Sequence, residues 1–485
     1  MLFRSESLHV HCRDRIATVW LDCPRLHLPM LFDLQEVLRT LRRSKFADVL
    51  LFRSSPGDGL PTRPTVDDYE TLQRSNDRRE FSRIGQETFQ QLVALSNDIP
   101  TVAWIDGVCL DAGLELALAC DFRVAVTRAE TRFGMTWFEA GLLPCWGLSN
   151  LLPRCLGLQK AVQFVTRQEC VSARRAHQLG LVDHTFSPRS ANTELWWFLA
   201  EILDQAPRSR SKRLLVSNLS PHRWINCRWL RRQQPATHHE LRQQVIGAMY
   251  HGWQNGRVAG LLAERSAFVD FGVHPRWAGC RRLCQQSEAN AHRWKNVQLP
   301  QRVGFTKLDT LIEPWVALAI THELELALPS VSPHSLREFL VRHIDSKTWH
   351  WFDADRWFRH IRRNELALHE CDFIFVTGPP QEQMYHLRKL DQELPTTTIL
   401  VATRFSENLL YRGFDWTCPQ RIVSLDFQAS PISDRAVRIR CSPETPTKVV
   451  LQLAALLDRA GYWPLLGSAS ENVNQTPGTT PIAAA

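Results

Sequence analysis

No apolar run in the 485 residues is long enough to cross a bilayer as a helix. The N-terminus, MLFRSESLHVHCRDR, carries charge where a secretory leader needs an apolar core, which argues against export. Paired cysteine spacing is also missing. Of the 13 cysteines, Cys280 and Cys284 are the nearest neighbours, and no second pair follows at the distance a zinc site needs. Free thiols in a reducing compartment are the expectation, with no metal, in a soluble cytoplasmic protein. Excess charge is small: +8 is too weak to argue for nucleic acid but suits a polyanionic small molecule.

What is present is an ordinary globular composition, 44% hydrophobic and 22% charged, ample for a core. The length suggests about three domains at roughly 150 residues each. The most informative stretch runs from Pro100 to Pro153. Thr101 to Ile105 is short, apolar and β-branched, as a buried strand should be. Asp106-Gly107 signals a turn, and LELALAC reads as a buried helix with one carboxylate, Glu115, in its first turn. A helix N-terminus offers free N–H groups and partial positive charge, so it can hold the oxyanion of a polarised thioester. A carboxylate one turn inside could then move a proton at the adjacent carbon. The alternative is a glutamate that merely favours the helix dipole.

Elsewhere, Ile16 to Leu21 and Val49 to Phe52 read as strands around a helix at Leu31 to Leu41. TLQRSNDRREFSRIGQETFQQLVAL is a charged helix, and residues 192–297 are helical and basic. The positive run Ser209 to Pro235 reads as a solvated face or linker, or as a contact for phosphates.

The Asp106-Gly107 turn, Gly113, Glu115-Leu116-Ala117-Leu118-Ala119-Cys120-Asp121, Phe133-Gly134 and Gly141-Leu142-Leu143-Pro144 together resemble the crotonase (enoyl-CoA hydratase/isomerase) family, as do LPRCLGLQKA and Ser172 to Asp183. The resemblance implies an α/β fold: a crotonase-like ββα spiral domain over 1–190, then a helical linker over 191–297. It implies an acyl-CoA thioester as partner, with coenzyme A entering as part of the substrate. Assembly as a homo-oligomer through the crotonase domain is a further implication. Glu115 would be the base, and the N–H groups of Thr62 and Ala112 the oxyanion donors. Gly113, Trp137 and Glu139 would line the pocket.

Four departures stand out. The loop carrying Thr62-Arg63-Pro64-Thr65 has lost the family's glycine and gained Pro61 and Pro64, so it also reads as a Pro-rich surface loop. The second catalytic glutamate of the hydratases falls on Trp137, which cannot accept a proton; Glu139, two residues on, would point elsewhere on a helix. Asp111 replaces a glycine beside the oxyanion site, where its charge would oppose a developing anion. Cys145 replaces another glycine, and a nucleophilic role for it has no nearby histidine in support.

QPATHHELRQQVIGAMYHGWQNGRVAGLLAERSAF is similar to the linker of multifunctional fatty-acid oxidation proteins, whose hydratase half precedes an NAD-dependent 3-hydroxyacyl-CoA dehydrogenase. That resemblance implies a Rossmann-like parallel-sheet domain over 298–470 and a disordered tail over 471–485. Its functional positions are degenerate. The glycines of G-x-G-x-x-G fall on Lys307, Asp309 and Ile312, and the ribose-binding acid falls near Ser330. The catalytic His falls on Asp426, its partner Glu on Arg438, and a following Asn on Ala429. The hydroxyacyl-site Ser falls on Phe405 or Ser406, and Asn474 matches a late Asn. An Asp426–Arg438 ion pair, or two unrelated charges, would take the dyad's place. No tightly bound cofactor and no NAD are expected. Two functions remain: an enoyl-CoA hydratase/isomerase of β-oxidation with an inactive dehydrogenase half, or a non-catalytic acyl-CoA binder or interaction subunit.

Overall fold

The computed structural model describes residues 2–44, 46–128, 130–166, 170–204, 239–271, 274–307, 324–328, 361–362, 365–403, 416–427, 436–460 and 462–466. Ser209 to Pro235, Asp309, Ile312, Ser330, Phe405, Ser406, Ala429, Asn474 and the tail therefore lie outside the described residues. The chain divides into two compact units, Met1–Gln285 and Gln286–Ala485.

In the first unit, β1 (Phe3–Arg4), β2 (Leu8–Arg13) and β3 (Ile16–Leu21) form an antiparallel meander. Helix α1 (Leu28–Ser44) then crosses to β4 (Val49–Arg53), parallel to β3. A short helix, α2 (Val66–Glu70), forms at the end of the stretch read as a loop, and the expected charged helix follows it as α3 (Ser75–Leu95). Thr65 and Asp68 build a capping box at the start of α2, which fixes the end of the preceding loop. Strand β5 (Thr101–Ile105) is buried at every position, as its unbroken apolar run demands. A short β6 (Cys109–Leu110) leads into α4 (Ala112–Ala119), again buried throughout. Next come β7 (Phe122–Val126) and β8 (Arg132–Gly134), then helices α5 (Leu148–Leu156) and α6 (Leu158–Thr166). The order continues with β9 (Val171–Ser172), α7 (Ala173–Leu179), β10 (His184–Phe186) and α8 (Ala191–Asp204).

The main sheet runs β1-β2-β3-β4-β5-β7-β10, parallel from β3 onward, and β6-β8-β9 form a separate small sheet. Residues expected as a linker after 190 are divided differently. Helices α9 (His239–Asn255) and α10 (Arg257–Phe271) pack on each other, on α5 and, for α10, on α3. They are part of the first unit's core because α10 buries Leu261, Glu264, Ala267 and Phe268. The first unit ends within α11 (Ala278–Asn290).

The second unit contains one sheet with eight described strands: β11 (Arg302–Phe305), β12 (Glu325–Ala327), β13 (Ile361–Arg362), β14 (Phe373–Val376), β15 (Ile399–Ala402), β16 (Ile422–Asp426), β17 (Ala436–Cys441) and β18 (Trp463–Leu466). Their spatial order is β13-β12-β11-β14-β15-β16-β17-β18, parallel except that β17 runs against β16. Helices α12 (Pro380–Glu393) and α13 (Thr447–Arg459) belong to this unit. Apolar strand faces such as Val303, Phe305, Phe373, Phe375 and Val401 fill its core together with Leu453 and Leu456 of α13.

Candidate functional site

Helix α4 enters the core at Asp111, whose backbone stands in the left-handed half of φ space (φ +53°, ψ −117°). Such a conformation is strained for a residue with a Cβ. Side-chain bonds hold it. Asp111 accepts from the N–H of Thr136 at 2.5 Å, from the N–H of Trp137 at 3.1 Å and from the Thr136 hydroxyl. The Arg63 guanidinium lies 3.7 Å from it, with both groups buried. Burial pushes the Asp111 carboxyl up, and Arg63 and the Thr136 bonds push it back down. The charge feared beside an oxyanion is thus turned toward Arg63 and the 136–137 backbone.

As the first residue of α4, Ala112 has an N–H without an intrahelical acceptor. Gly113 follows because the loop backbone comes too close for a side chain: a Cβ there would stand 2.6 Å from the Pro61 carbonyl oxygen. That loop is ordered by its own backbone bonds. Leu60 N–H donates to Val108 O at 2.8 Å, Leu26 N–H to Thr62 O at 2.8 Å, and Thr62 N–H to Pro24 O at 3.0 Å. The amide expected as the first oxyanion donor is therefore already engaged.

Glu115 is wholly buried. Its Oε1 accepts from the N–H groups of Trp146 and Leu148, each at 3.1 Å, whereas Oε2 is buried without a partner. Burial, and then the nearby Glu264 carboxylate, hold the Glu115 carboxyl well above the usual carboxylate range. Two more buried polar atoms lack partners in the same neighbourhood, Tyr69 OH and Trp137 Nε1, on rings 5.6 Å apart. Burial raises the Tyr69 phenol, Cys145, Glu115 and Asp111 add to the rise, and Arg63 opposes it. Glu139 is buried in the turn after Trp137, where its N–H donates to Thr136 O at 3.2 Å. The Cys145 thiol is pushed well up by burial, then by Glu115 and Glu264, which disfavours the nucleophilic thiolate.

Sequence reasoning missed Glu264. It arrives from α10, in a stretch read only as a linker, and its place on a buried helical stripe was the one signal that could have drawn attention. It accepts from Gly147 N–H at 2.6 Å and Ser149 N–H at 2.7 Å.

In the second unit, Asp426 and Arg438 face each other directly across β16 and β17. The ion pair that forms is a different one, between Asp426 and Arg440 at 3.3 Å. The expected Asp426–Arg438 pair is corrected accordingly: the register aligns their backbones, but the diagonal neighbour on the antiparallel strand reaches the carboxylate. Lys307 stands just past the end of β11 and pairs with Glu382. Among the described residues no cluster of three His, Cys, Asp or Glu could hold a metal, and no helix is long and apolar enough to cross a membrane.

The site thus holds a buried glutamate in the first turn of a helix that follows a tight strand turn. Residues 14–219 match the model of the enoyl-CoA hydratase/isomerase family, and that stretch is similar to the crotonase family. A fatty acid oxidation complex subunit alpha of Vibrio parahaemolyticus is 35% identical over 185 residues, 37% of this chain and 26% of that protein. The chain thus spans about a quarter of the length of this curated relative. Among solved structures, an enoyl-CoA hydratase from Mycobacterium avium subsp. paratuberculosis aligns at 16% identity over 58% of this chain and 100% of its own, with a TM-score of 0.43. Another from Bacillus halodurans aligns at 17% over 57% and 99%, with a TM-score of 0.44.

Proposed function

We propose that the first unit binds an acyl-CoA thioester and acts on it as an enoyl-CoA hydratase/isomerase-type enzyme of fatty-acid β-oxidation. Glu115 moves the proton at the carbon next to the thioester carbonyl, and the Ala112 N–H receives the carbonyl oxygen. The observation that carries this reading is the bare Glu115 Oε2, buried one turn inside a helix whose first amide is free of helical bonding. Polar atoms left unpaired in a core are uncommon, and a ligand is one explanation for them.

Double-bond isomerisation is favoured over water addition. Shifting a double bond needs one group to take and return a proton, whereas hydration needs a second group opposite it. Trp137 occupies that second position with an indole that cannot accept a proton. Comparing the wild type with Glu115→Gln, on crotonyl-CoA for hydration and on a 3-enoyl-CoA for isomerisation, tests this. The isomerase rate is expected to fall by roughly 10²- to 10⁴-fold in the variant. Equal background rates in both proteins would remove the enzyme reading. The Thr62–Pro24 bond favours a second reading, a non-catalytic acyl-CoA binder, because it withdraws one oxyanion donor. Coenzyme A binding without either activity would support it.

The second unit's strand order supports reading it as a doubly wound, Rossmann-like domain, in which ligands would bind beyond the strand ends between the first strand and its neighbour on the other side. Lys307, at the first glycine position, supports loss of NAD binding and of dehydrogenase chemistry there. A homo-oligomer assembled through the crotonase domain, in the cytoplasm, with coenzyme A only as part of the substrate, completes the proposal.

A further inference from the structure

Four successive N–H groups, from Trp146 to Ser149, open helix α5, and two carboxylates divide them by alternation. Glu115 takes residues 146 and 148 through a single oxygen. Glu264 takes Gly147 through Oε1 and Ser149 through Oε2. Gln86 Nε2 adds a longer contact to Glu264 Oε1 at 3.5 Å, and Gln86 is itself held by Arg265 at 2.6 Å. Every oxygen of the pair therefore has a donor except Glu115 Oε2.

We propose that Glu264 is a positioning residue for Glu115: it clasps the alternate amides of this turn so that the pair holds one proton, seated on Glu115 Oε2. This rests on the proposed role of Glu115 and deepens it. Two wholly buried carboxylates side by side do not both ionise, because each charge opposes the other in a medium of low dielectric. Hydrogen bonds from donors favour the charged form, and Glu264 has them on both oxygens. The proton therefore goes to the carboxyl with the bare oxygen. Burial and Glu264 raise Glu115, consistent with this, while Asp111 from its own helix acts in the same direction more weakly. The other titratable groups facing the pair are Tyr69 and Cys145, both neutral through burial, and Arg265, which lies on the Gln86 side. Glu115 then rests as a neutral acid and acts as a base only after losing that proton, so the reaction rate rises with pH.

Infrared spectroscopy of the full chain without substrate reads the proton directly as the carbonyl stretch of a carboxylic acid. Wild type is expected to show this band at neutral pH, and Glu115→Gln to lack it. Glu264→Gln removes the opposing charge, so Glu115 ionises more readily and its band should titrate lower by about one pH unit or more. The pH profile of isomerisation should move in the same direction. A band that survives in Glu115→Gln, or a midpoint unmoved in Glu264→Gln, overturns the proposal. If Glu264→Gln does not fold, the Glu115→Gln spectrum still decides it. Because the band is read without turnover, an intact band in an inactive protein would sink the enzymatic reading and leave this one standing.

Discussion

Asp111 concentrates what a single residue contributes here. Its positive φ is a standing strain, and its bonds to Thr136, Trp137 and Arg63 are what make that conformation tolerable. Arg63 is buried, and its remaining partners include the Pro64 carbonyl oxygen at 3.0 Å and the Cys284 sulfur at 3.1 Å, neither of them charged. Removing the carboxylate takes a buried charged partner from Arg63 and frees the amides of Thr136 and Trp137. Asp111→Ala is accordingly expected to destabilise the first unit by about 3–5 kcal/mol, the usual consequence of breaking one side of a buried pair. Denaturant unfolding measures it, and a change under about 1 kcal/mol would show the pair to be structurally idle. At this scale the sequence was informative where chemistry is local. Glu115 could be picked out because a helix start and a carboxylate one turn inside lie within a few residues. Glu264 could not be, because its role exists only after α10 has packed against α5. The fate of the Thr62 amide was equally hidden, being decided by Pro24 on a distant loop.

Among elements, the seat of Trp146 matters most for the site. Its indole lies against Phe81 at 5.3 Å and Phe89 at 6.0 Å, and its Nε1 donates to the Phe81 carbonyl at 3.3 Å. Those partners are on α3, and the ring fits only because α3 has Gly85 where it passes. A Cβ at Gly85 would stand 2.0 Å from the indole. Ser82 of the same helix donates to Cys145 O at 2.7 Å, tying down the residue just before. Helix α3 thus sets the height of the turn whose amides hold Glu115. Gly85→Ala gains about 1 kcal/mol of helix propensity but overpacks the core, typically a loss of about 1–3 kcal/mol, so the clash wins. The expected outcome is a lower melting temperature together with a fall in isomerase kcat larger than any change in KM. An unchanged kcat in a stably folded variant would detach α3 from the site. The sequence pattern placed the central strand, α4 and the charged helix well, because burial of unbroken apolar runs dictates them. It did not reveal α2, whose start depends on a capping box formed by Thr65 and Asp68.

Across the whole molecule, the two units differ in how much of their chemistry survives the reading from residue to structure. The first unit keeps a buried acid beside an unspent helix amide. In the second, the place where a doubly wound sheet would receive a pyrophosphate is the end of β11 and of its neighbour β14. There the backbone of Lys307 is bonded inward: its N–H donates to the Thr377 hydroxyl at 3.2 Å, and that hydroxyl donates to the Lys307 carbonyl at 2.9 Å. Glu382, in the first turn of α12, adds negative charge to the same edge and pairs with the Lys307 ammonium. Both side chains are about half exposed, so solvent screens the ion pair, which would yield to a tight ligand. On the proposed Rossmann-like reading, the stronger obstacle would be a lysine at the first glycine position of the turn, since close approach of backbone to phosphate is what a side chain prevents. Calorimetric titration of the full chain with NADH is therefore expected to give no heat of binding at micromolar concentrations. Lys307→Gly alone should not restore it, because Glu382 would then face the phosphates without its counter-charge. The double change Lys307→Gly with Glu382→Gln is the more permissive background. Micromolar affinity in the unaltered protein would mean that the dinucleotide approaches this sheet by a route that avoids the turn after β11.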